Sequence, residues 1–284
     1  MTLFESIILA VVEGLTEFLP VSSTGHMVIA QALLGIESTP YVKAFTVMIQ
    51  FGAILAVVLM YYRYFFDFSV PPALRSEKVP LWRKAVGRVS FYLKLIVALI
   101  PAVVLGLLFD DWVDEVLGKV WVIALNLVVG GVIMLFIDRW VKRGTRQNIS
   151  YVQAFAIGLF QCIAMFFPGM SRSMSTIVGG MVVGLDRKRA AEFSFFLAVP
   201  TMFGASLLQV IKLFRSDRLS ILQDNMLTLV VGNVVAFLVA AVAIRYFIMY
   251  IQRHSFRAFG LYRIIVGGLI LAALALGMDL AIIH

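Results

Sequence analysis

Glu13 and Glu17 stand four residues apart, so on a helix their carboxylates face the same way. Two carboxylates pointing in one direction repel each other unless something positive sits between them. Oxygen ligands of this kind suit Mg2+ or Ca2+, which makes Glu13 and Glu17 a candidate metal pair. A structural pair at the base of a turn is the alternative. Just downstream, Pro20 is followed by Ser22, Ser23 and Thr24. Ser22 or Thr24 could be simple helix N-caps. His26 lies one helical turn past Ser23, and a histidine within reach of a serine hydroxyl is a nucleophile with its base.

A second polar cluster, Ser171–Arg172–Ser173 with Thr176 one turn on, supplies what the first lacks. A guanidinium fork, several hydroxyls and free N–H groups at a helix start bind phosphate. Ser22, at the other cluster, counts with them as a further phosphate-binding hydroxyl. A structural ion pair between Arg172 and Glu13 or Glu17 is the competing expectation. Together the two clusters point to metal-assisted phosphoryl transfer or hydrolysis inside a membrane. Gln50 and Glu192 are weaker candidates, since either could be a hydrogen bond within a helix bundle. His254, in a basic loop, and His284, at the end of the chain, read as surface residues.

The elements that must carry these residues are membrane helices. The chain has 284 residues, of which 62% are hydrophobic and 14% charged. A soluble domain averages roughly 45–50% apolar and about 25% charged. Long uninterrupted apolar runs indicate an all-α integral membrane protein rather than a barrel. The net charge of +8 then reflects basic cytoplasmic loops, and nucleic acid is not an expected partner. A lone cysteine, Cys162, excludes an intramolecular disulfide and a cysteine metal cluster. The start, MTLFESIILAVVEG, lacks a basic region and a small-residue cleavage site, so no removable signal peptide is expected.

Six segments are long enough to span: residues 41–62, 93–109, 120–137, 193–213, 227–249 and 262–282. Residues 3–35 and 151–184 instead show an apolar arm, a Pro/Gly/Ser break and a short second arm, which predicts two re-entrant helical hairpins. With both hairpins returning to the side they enter, the loops separate by charge. Residues 63–94 carry seven Lys/Arg, 139–146 four, 187–189 three and 245–263 four, together 18 of the 24. The opposite loops carry Lys43, Lys119, Lys212, Arg215 and Arg218. The positive-inside rule assigns the first set to the cytoplasm, leaving the termini and the acidic 110–115 loop outside.

The chain forms one membrane domain, 1–284, whose halves, 1–140 and 151–284, resemble each other. GLTE (14–17) matches GLFQ (158–161), PVSSTG matches PGMSRS, and VVGGVI (128–133) matches IVGGLI (265–270), at offsets drifting between about 137 and 152. Three spans per half make this an inverted-topology repeat, with binding sites near the midplane between broken helices. The glycine pairs 130/131, 179/180 and 267/268 are expected to be close helix contacts.

EGLTEFLPVSSTGH (13–26) and PGMSRS (168–173), with FTVMIQFGAILAV and EFSFFLAVP, closely resemble the undecaprenyl-diphosphate phosphatase family, the bacitracin-resistance proteins, over essentially the whole chain. The resemblance implies a bacterial inner-membrane enzyme that removes the terminal phosphate of undecaprenyl diphosphate. Its product is the lipid carrier reused for peptidoglycan and other envelope polymers, and its catalytic cleft opens to the periplasm. The family's metal-linked acidic pair falls on Glu13 and Glu17, its candidate nucleophile and histidine on Ser23 and His26. Its phosphate-binding arginine and neighbours fall on Ser171, Arg172, Ser173 and Thr176. The expected chemistry is attack by Ser23 with His26 as proton acceptor, a Mg2+ or Ca2+ ion on the glutamates, and Arg172 on the transferring group; histidine and metal-water variants stay open. The chain departs from the family pattern at Met174, where glycine is expected. The rival expectation is a carrier for polyprenyl phosphate or a small anion, and a homodimer is left open.

Overall fold

Short arms and long spans are distinguishable by length alone. The computed structural model describes residues 1–66, 81–109, 119–141, 144, 146, 148–216 and 219–277. Among these, twelve helices and no strand are present: α1 Leu3–Thr16, α2 Ser23–Leu34, α3 Pro40–Met60, α4 Tyr62–Phe65, α5 Leu81–Leu108, α6 Val120–Trp140, α7 Tyr151–Phe166, α8 Arg172–Val182, α9 Arg187–Arg215, α10 Ser220–Gln223, α11 Met226–Arg253 and α12 Arg257–Ala275. Six of them, α3, α5, α6, α9, α11 and α12, are long and apolar enough to cross a bilayer. They carry exposed leucines and valines such as Leu59, Val103, Val132, Leu207 and Val242, as a lipid-facing surface requires.

The span boundaries shift where polar caps, rather than apolar composition, decide them. α9 begins at Arg187, six residues before the expected start, because the Asp186 side chain caps it by accepting from the Arg189 N–H. α12 begins at Arg257 and ends at Ala275, close to Gly277 with its φ of 81°. The expected continuation past residue 277 and the acidic 110–115 loop both lie outside the described residues.

The four remaining long helices pair into two hairpins, α1–α2 and α7–α8. At a rise of 1.5 Å per residue their arms measure about 21, 18, 24 and 17 Å, all short of a hydrocarbon core of about 30 Å. Each hairpin opens with a capping box. Thr2 and Glu5 form the first, and Ser150 and Gln153 the second. Each second arm is entered through a serine in the left-handed region, Ser22 (φ 73°) and Ser171 (φ 75°), whose hydroxyl then caps the helix. The first arms dock in the same manner, α1 on α11 and α7 on α5. A Cβ on Gly14 would meet the backbone of Ala236, and one on Gly158 the backbone of Ala98, so glycine permits both crossings.

The expected glycine contacts hold at Gly130 and Gly131 on α12, at Gly179 against Phe160, at Gly180 against Ala190 and at Gly267 against Ala124. Gly268 has open space around its Cβ position and makes no such contact.

The hairpin tips meet over a clamp at the crossing of α6 and α12. Arg263, 0% exposed, donates from Nη1 to the Pro20 carbonyl (3.1 Å) and from Nη2 to the Gly169 carbonyl (2.9 Å). The same guanidinium donates to Asn126 O (3.2 Å) and Leu127 O (3.3 Å) on α6. Asn126 in turn donates to the Pro168 carbonyl at 2.8 Å. Arg263 is therefore not one of the basic loop residues of 245–263, as the charge count assumed; it is buried between both tips. Gly169, with φ 90°, leaves no room for a Cβ against the Ile123 backbone, which lets the second tip lie close on α6.

Replacing Arg263 by Met is expected to strand the two tip carbonyls, Pro20 and Gly169, each worth about 1–3 kcal/mol when left unpaired, while Asn126 O and Leu127 O keep their bonds within α6. Thermal unfolding in detergent should fall by about 10 °C or more, and R263K should recover only part of it, because an ammonium cannot span the fork. An unchanged midpoint would show that the clamp is not holding the tips.

Candidate active site

α1 and α7 deliver the two breaks from opposite partners, and their tips interlock. Ser173 Oγ donates to the Phe18 carbonyl at 2.7 Å, and the Phe18 ring stands edge-on to Phe195 with the Arg172 guanidinium 6.0 Å from its centroid. α2 begins at Ser23 and α8 at Arg172, so two helix N-termini start where the tips join. Each carries free N–H groups and a partial positive charge suited to an anion. The left-handed residues fix the equivalence of the tips: Ser22 corresponds to Ser171, and Ser23 stands where Arg172 stands. This is one residue out of step with the PVSSTG–PGMSRS match, which set Ser23 against Ser171.

The charged residues form a short chain across that junction. Arg172 Nη2 pairs with Glu17 Oε1 at 3.1 Å, and the Ser23 hydroxyl donates to Glu17 Oε2 at 2.5 Å. Arg172 is further held through Nη1 on the Ser194 carbonyl at 3.2 Å. The ion pair expected as a structural alternative is thus present, and its carboxylate also grips the candidate nucleophile. Glu13, one turn earlier on α1, is 1% exposed, and its Oε1 has no hydrogen-bond partner among the described residues.

Glu13 and Ser23 open into a cavity of about 130 Å³, which continues along Thr24, Gln31 and Gln50 to Ser38 and Lys43 at the α2–α3 connection.

Two expected roles are filled differently. His26 does not reach Ser23: Nδ1 lies 2.7 Å from the Ser22 carbonyl and Nε2 lies 2.6 Å from the Tyr262 hydroxyl, with the two rings stacked. A carbonyl only accepts, so Nδ1 carries the proton and Nε2 of the neutral ring accepts from Tyr262. The group on the Ser23 hydroxyl is Glu17. Of the expected phosphate-binding hydroxyls, Ser173 is spent on Phe18. Thr176 is spent on the carbonyls of Arg172 and Ser173 and on Ser194 Oγ at 2.6 Å, and both side chains are buried. Ser22 and Ser171 serve as N-caps, accepting from the N–H groups of Gly25 and Met174.

Met174, the departure from the family pattern, is 2% exposed and packs in the apolar core, so its side chain is not part of the anion-binding face.

Gln50 lines the same cavity as Glu13 and Ser23, whereas Glu192 pairs with Arg189 and Lys188 at the start of α9. His254 is exposed as expected; His284 lies outside the described residues. Sequence reasoning missed Arg263, Tyr262, Asn126, Ser194 and Lys43. Of these, Asn126 alone carried a signal, as a polar residue in the middle of an apolar span.

For a divalent ion the available protein donors are Glu13 and Glu17. No cluster of three or more His, Cys, Asp or Glu residues is present among the described residues. The unpartnered Glu13 oxygen and the all-oxygen donor set fit a hard cation that keeps open positions for water or a ligand.

Six helices long and apolar enough to span, around a partly buried Glu–Ser–Arg chain at two helix N-termini, define a polytopic membrane protein. Over residues 6–269 the chain matches the family described as bacitracin resistance protein BacA, and it belongs to that family. It is 55% identical over 283 residues to a protein of Porphyromonas gingivalis named undecaprenyl-diphosphatase, covering 99% of this chain and 100% of the relative. Proteins with the same name from Flavobacterium psychrophilum and Bdellovibrio bacteriovorus are 48% and 43% identical, over 94% and 100% of both chains.

The geometry predicts which serines a reagent can reach. With Cys162 replaced by Ala, Ser23→Cys, half-buried on the cavity, should react with a small charged thiol reagent. Ser173→Cys, 1% exposed, should stay protected until the protein is unfolded. The reverse pattern, read by mass spectrometry, would refute this arrangement of the tips.

Proposed function

We infer that this protein hydrolyses undecaprenyl diphosphate to undecaprenyl phosphate and inorganic phosphate, recycling the lipid carrier for envelope polymer synthesis. The observation that carries the residue assignment is the Ser23–Glu17–Arg172 chain at the joined helix N-termini. Relatives at up to 55% identity named for this activity support the substrate. A carrier for a polyprenyl phosphate or small anion is not favoured, since transport alone needs no hydroxyl held on a carboxylate.

In the proposed reaction Ser23 Oγ attacks the terminal phosphorus as its proton passes to Glu17 Oε2. The phosphoanhydride bond breaks and undecaprenyl phosphate leaves, taking from Glu17 the proton that came from Ser23. Arg172 and the N–H groups of α2 and α8 balance the charge on the transferring group. Water then cleaves the phosphoserine with Glu17 again taking a proton, which restores the hydroxyl and releases phosphate. Glu13 and Glu17 would hold a Mg2+ or Ca2+ ion, which neutralises diphosphate charge when bound. His26 becomes a positioning residue: its Nδ1–H secures the carbonyl of the left-handed Ser22, and Tyr262 orients the ring.

The placement in the membrane follows the same reading. Arms too short to span, with tips joined end to end, support two re-entrant hairpins entering from opposite faces. The matched capping boxes, left-handed serines and glycine crossings support an inverted repeat. The cavity runs from Ser23 toward the α2–α3 connection, on the side poor in Lys and Arg, which favours a periplasmic opening in the bacterial inner membrane.

The test follows phosphate release from a polyprenyl diphosphate by purified protein in detergent, with and without divalent cation. S23A, E17Q and R172A should each lower kcat at least about 100-fold. H26N, whose amide can reproduce the Nδ1–H bond, should retain more activity than H26A. Release that survives S23A and R172A unchanged would overturn the assignment.

A further inference from the structure

Lys43, Thr46 and Gln50 follow one another at i, i+3 and i+7 along α3 and line the cavity opposite Ser23. Lys43 is the one cation among the lining residues, and Glu13 lies on the same cavity. Among the described residues neither the Lys43 ammonium nor the Gln50 amide has a hydrogen-bond or ion-pair partner. Met27 and Val28 of α2 and Val42, next to Lys43 on α3, add apolar surface to the same lining. A basic and amide-bearing helix face with apolar surface beside it matches a ligand with an anionic head and a hydrocarbon beside it.

A diphosphate brings two phosphates, and the tip residues account for one. With the terminal group on Ser23 and Arg172, the second extends away from the tip into the cavity that Glu13 also lines. Lys43 is the cation the chain itself places on that lining, where it can pair with the second phosphate. We propose that the Lys43–Thr46–Gln50 face of α3 binds the lipid-side phosphate and sets the preference for a diphosphate over a monophosphate. This rests on the phosphatase reading above. A lysine that merely extends toward the membrane surface would leave both substrate classes unaffected when it is neutralised.

The experiment compares wild type with K43M and K43R as full-length protein in detergent. It measures steady-state phosphate release from a polyprenyl diphosphate, and calorimetric binding of inorganic pyrophosphate and of orthophosphate. Loss of one charge-assisted contact should raise KM in K43M about tenfold and weaken pyrophosphate binding by a similar factor. Turnover should stay within about threefold, orthophosphate binding should not change, and K43R should lie near wild type. Wild-type KM and pyrophosphate affinity in K43M would overturn the subsite, as would equal weakening of orthophosphate or wild-type protein that binds no pyrophosphate. Wild-type protein that releases no phosphate would instead fell the phosphatase reading, and the pyrophosphate titration would then decide the subsite alone.

Discussion

A single buried guanidinium determines where two separate breaks in the chain come to rest. Arg263 has no carboxylate partner among the described residues; its fork is filled by four backbone carbonyls, two from the hairpin tips and two from α6. A cation in that position is tolerable only while the carbonyls remain gathered around it, and the two tip carbonyls are satisfied only while the cation remains. Tip placement and clamp are thus mutually dependent. The Glu17–Arg172 pair, the Ser23–Glu17 bond and the Ser173–Phe18 bond all join one tip to the other or to its own arm, so their geometry is inherited from this clamp.

Left-handed serines are the second constraint. A non-glycine residue at φ near 75° is strained by roughly 1–3 kcal/mol, and such strain persists where surrounding contacts hold it. Here those contacts are a cap bond from the serine itself and, at Ser22, the His26 ring. What the turn achieves is directional. It reverses the chain within a few residues, so that a new helix begins with its N–H groups at the joined tips rather than one turn away.

Much of this was readable from composition and spacing, and the remainder failed for definable reasons. Six spans and two interrupted hairpins follow from apolar length and from Pro/Gly/Ser breaks, because the bilayer imposes those patterns on any sequence. Glu13, Glu17, Ser23 and Arg172 stand out for the same reason, as polar groups where polarity is costly. Arg263 was not readable because its partners are backbone carbonyls, which leave no signature, and its place near a helix start made it look like a loop cation. His26 was expected to serve Ser23, three residues away; its partner Tyr262 is 236 positions distant and no local spacing hints at it. Ser173 and Thr176 have the right chemistry for phosphate, but hydroxyls on a tightly packed helix find carbonyls first.

The bond between Arg172 and Glu17 has a consequence for turnover as well as for architecture. An anion that takes the Nη2 hydrogen Arg172 now gives to Glu17 must displace Oε1, and once displaced that carboxylate stays tethered within a bond's reach. It acts as a built-in competitor at very high local concentration. A weakly held anion, with no second handle on the protein, is at a disadvantage against it and is ejected, while one anchored at a further point can hold its place. The site closes on itself when emptied, and release is written into the same contact that awaits the next ligand.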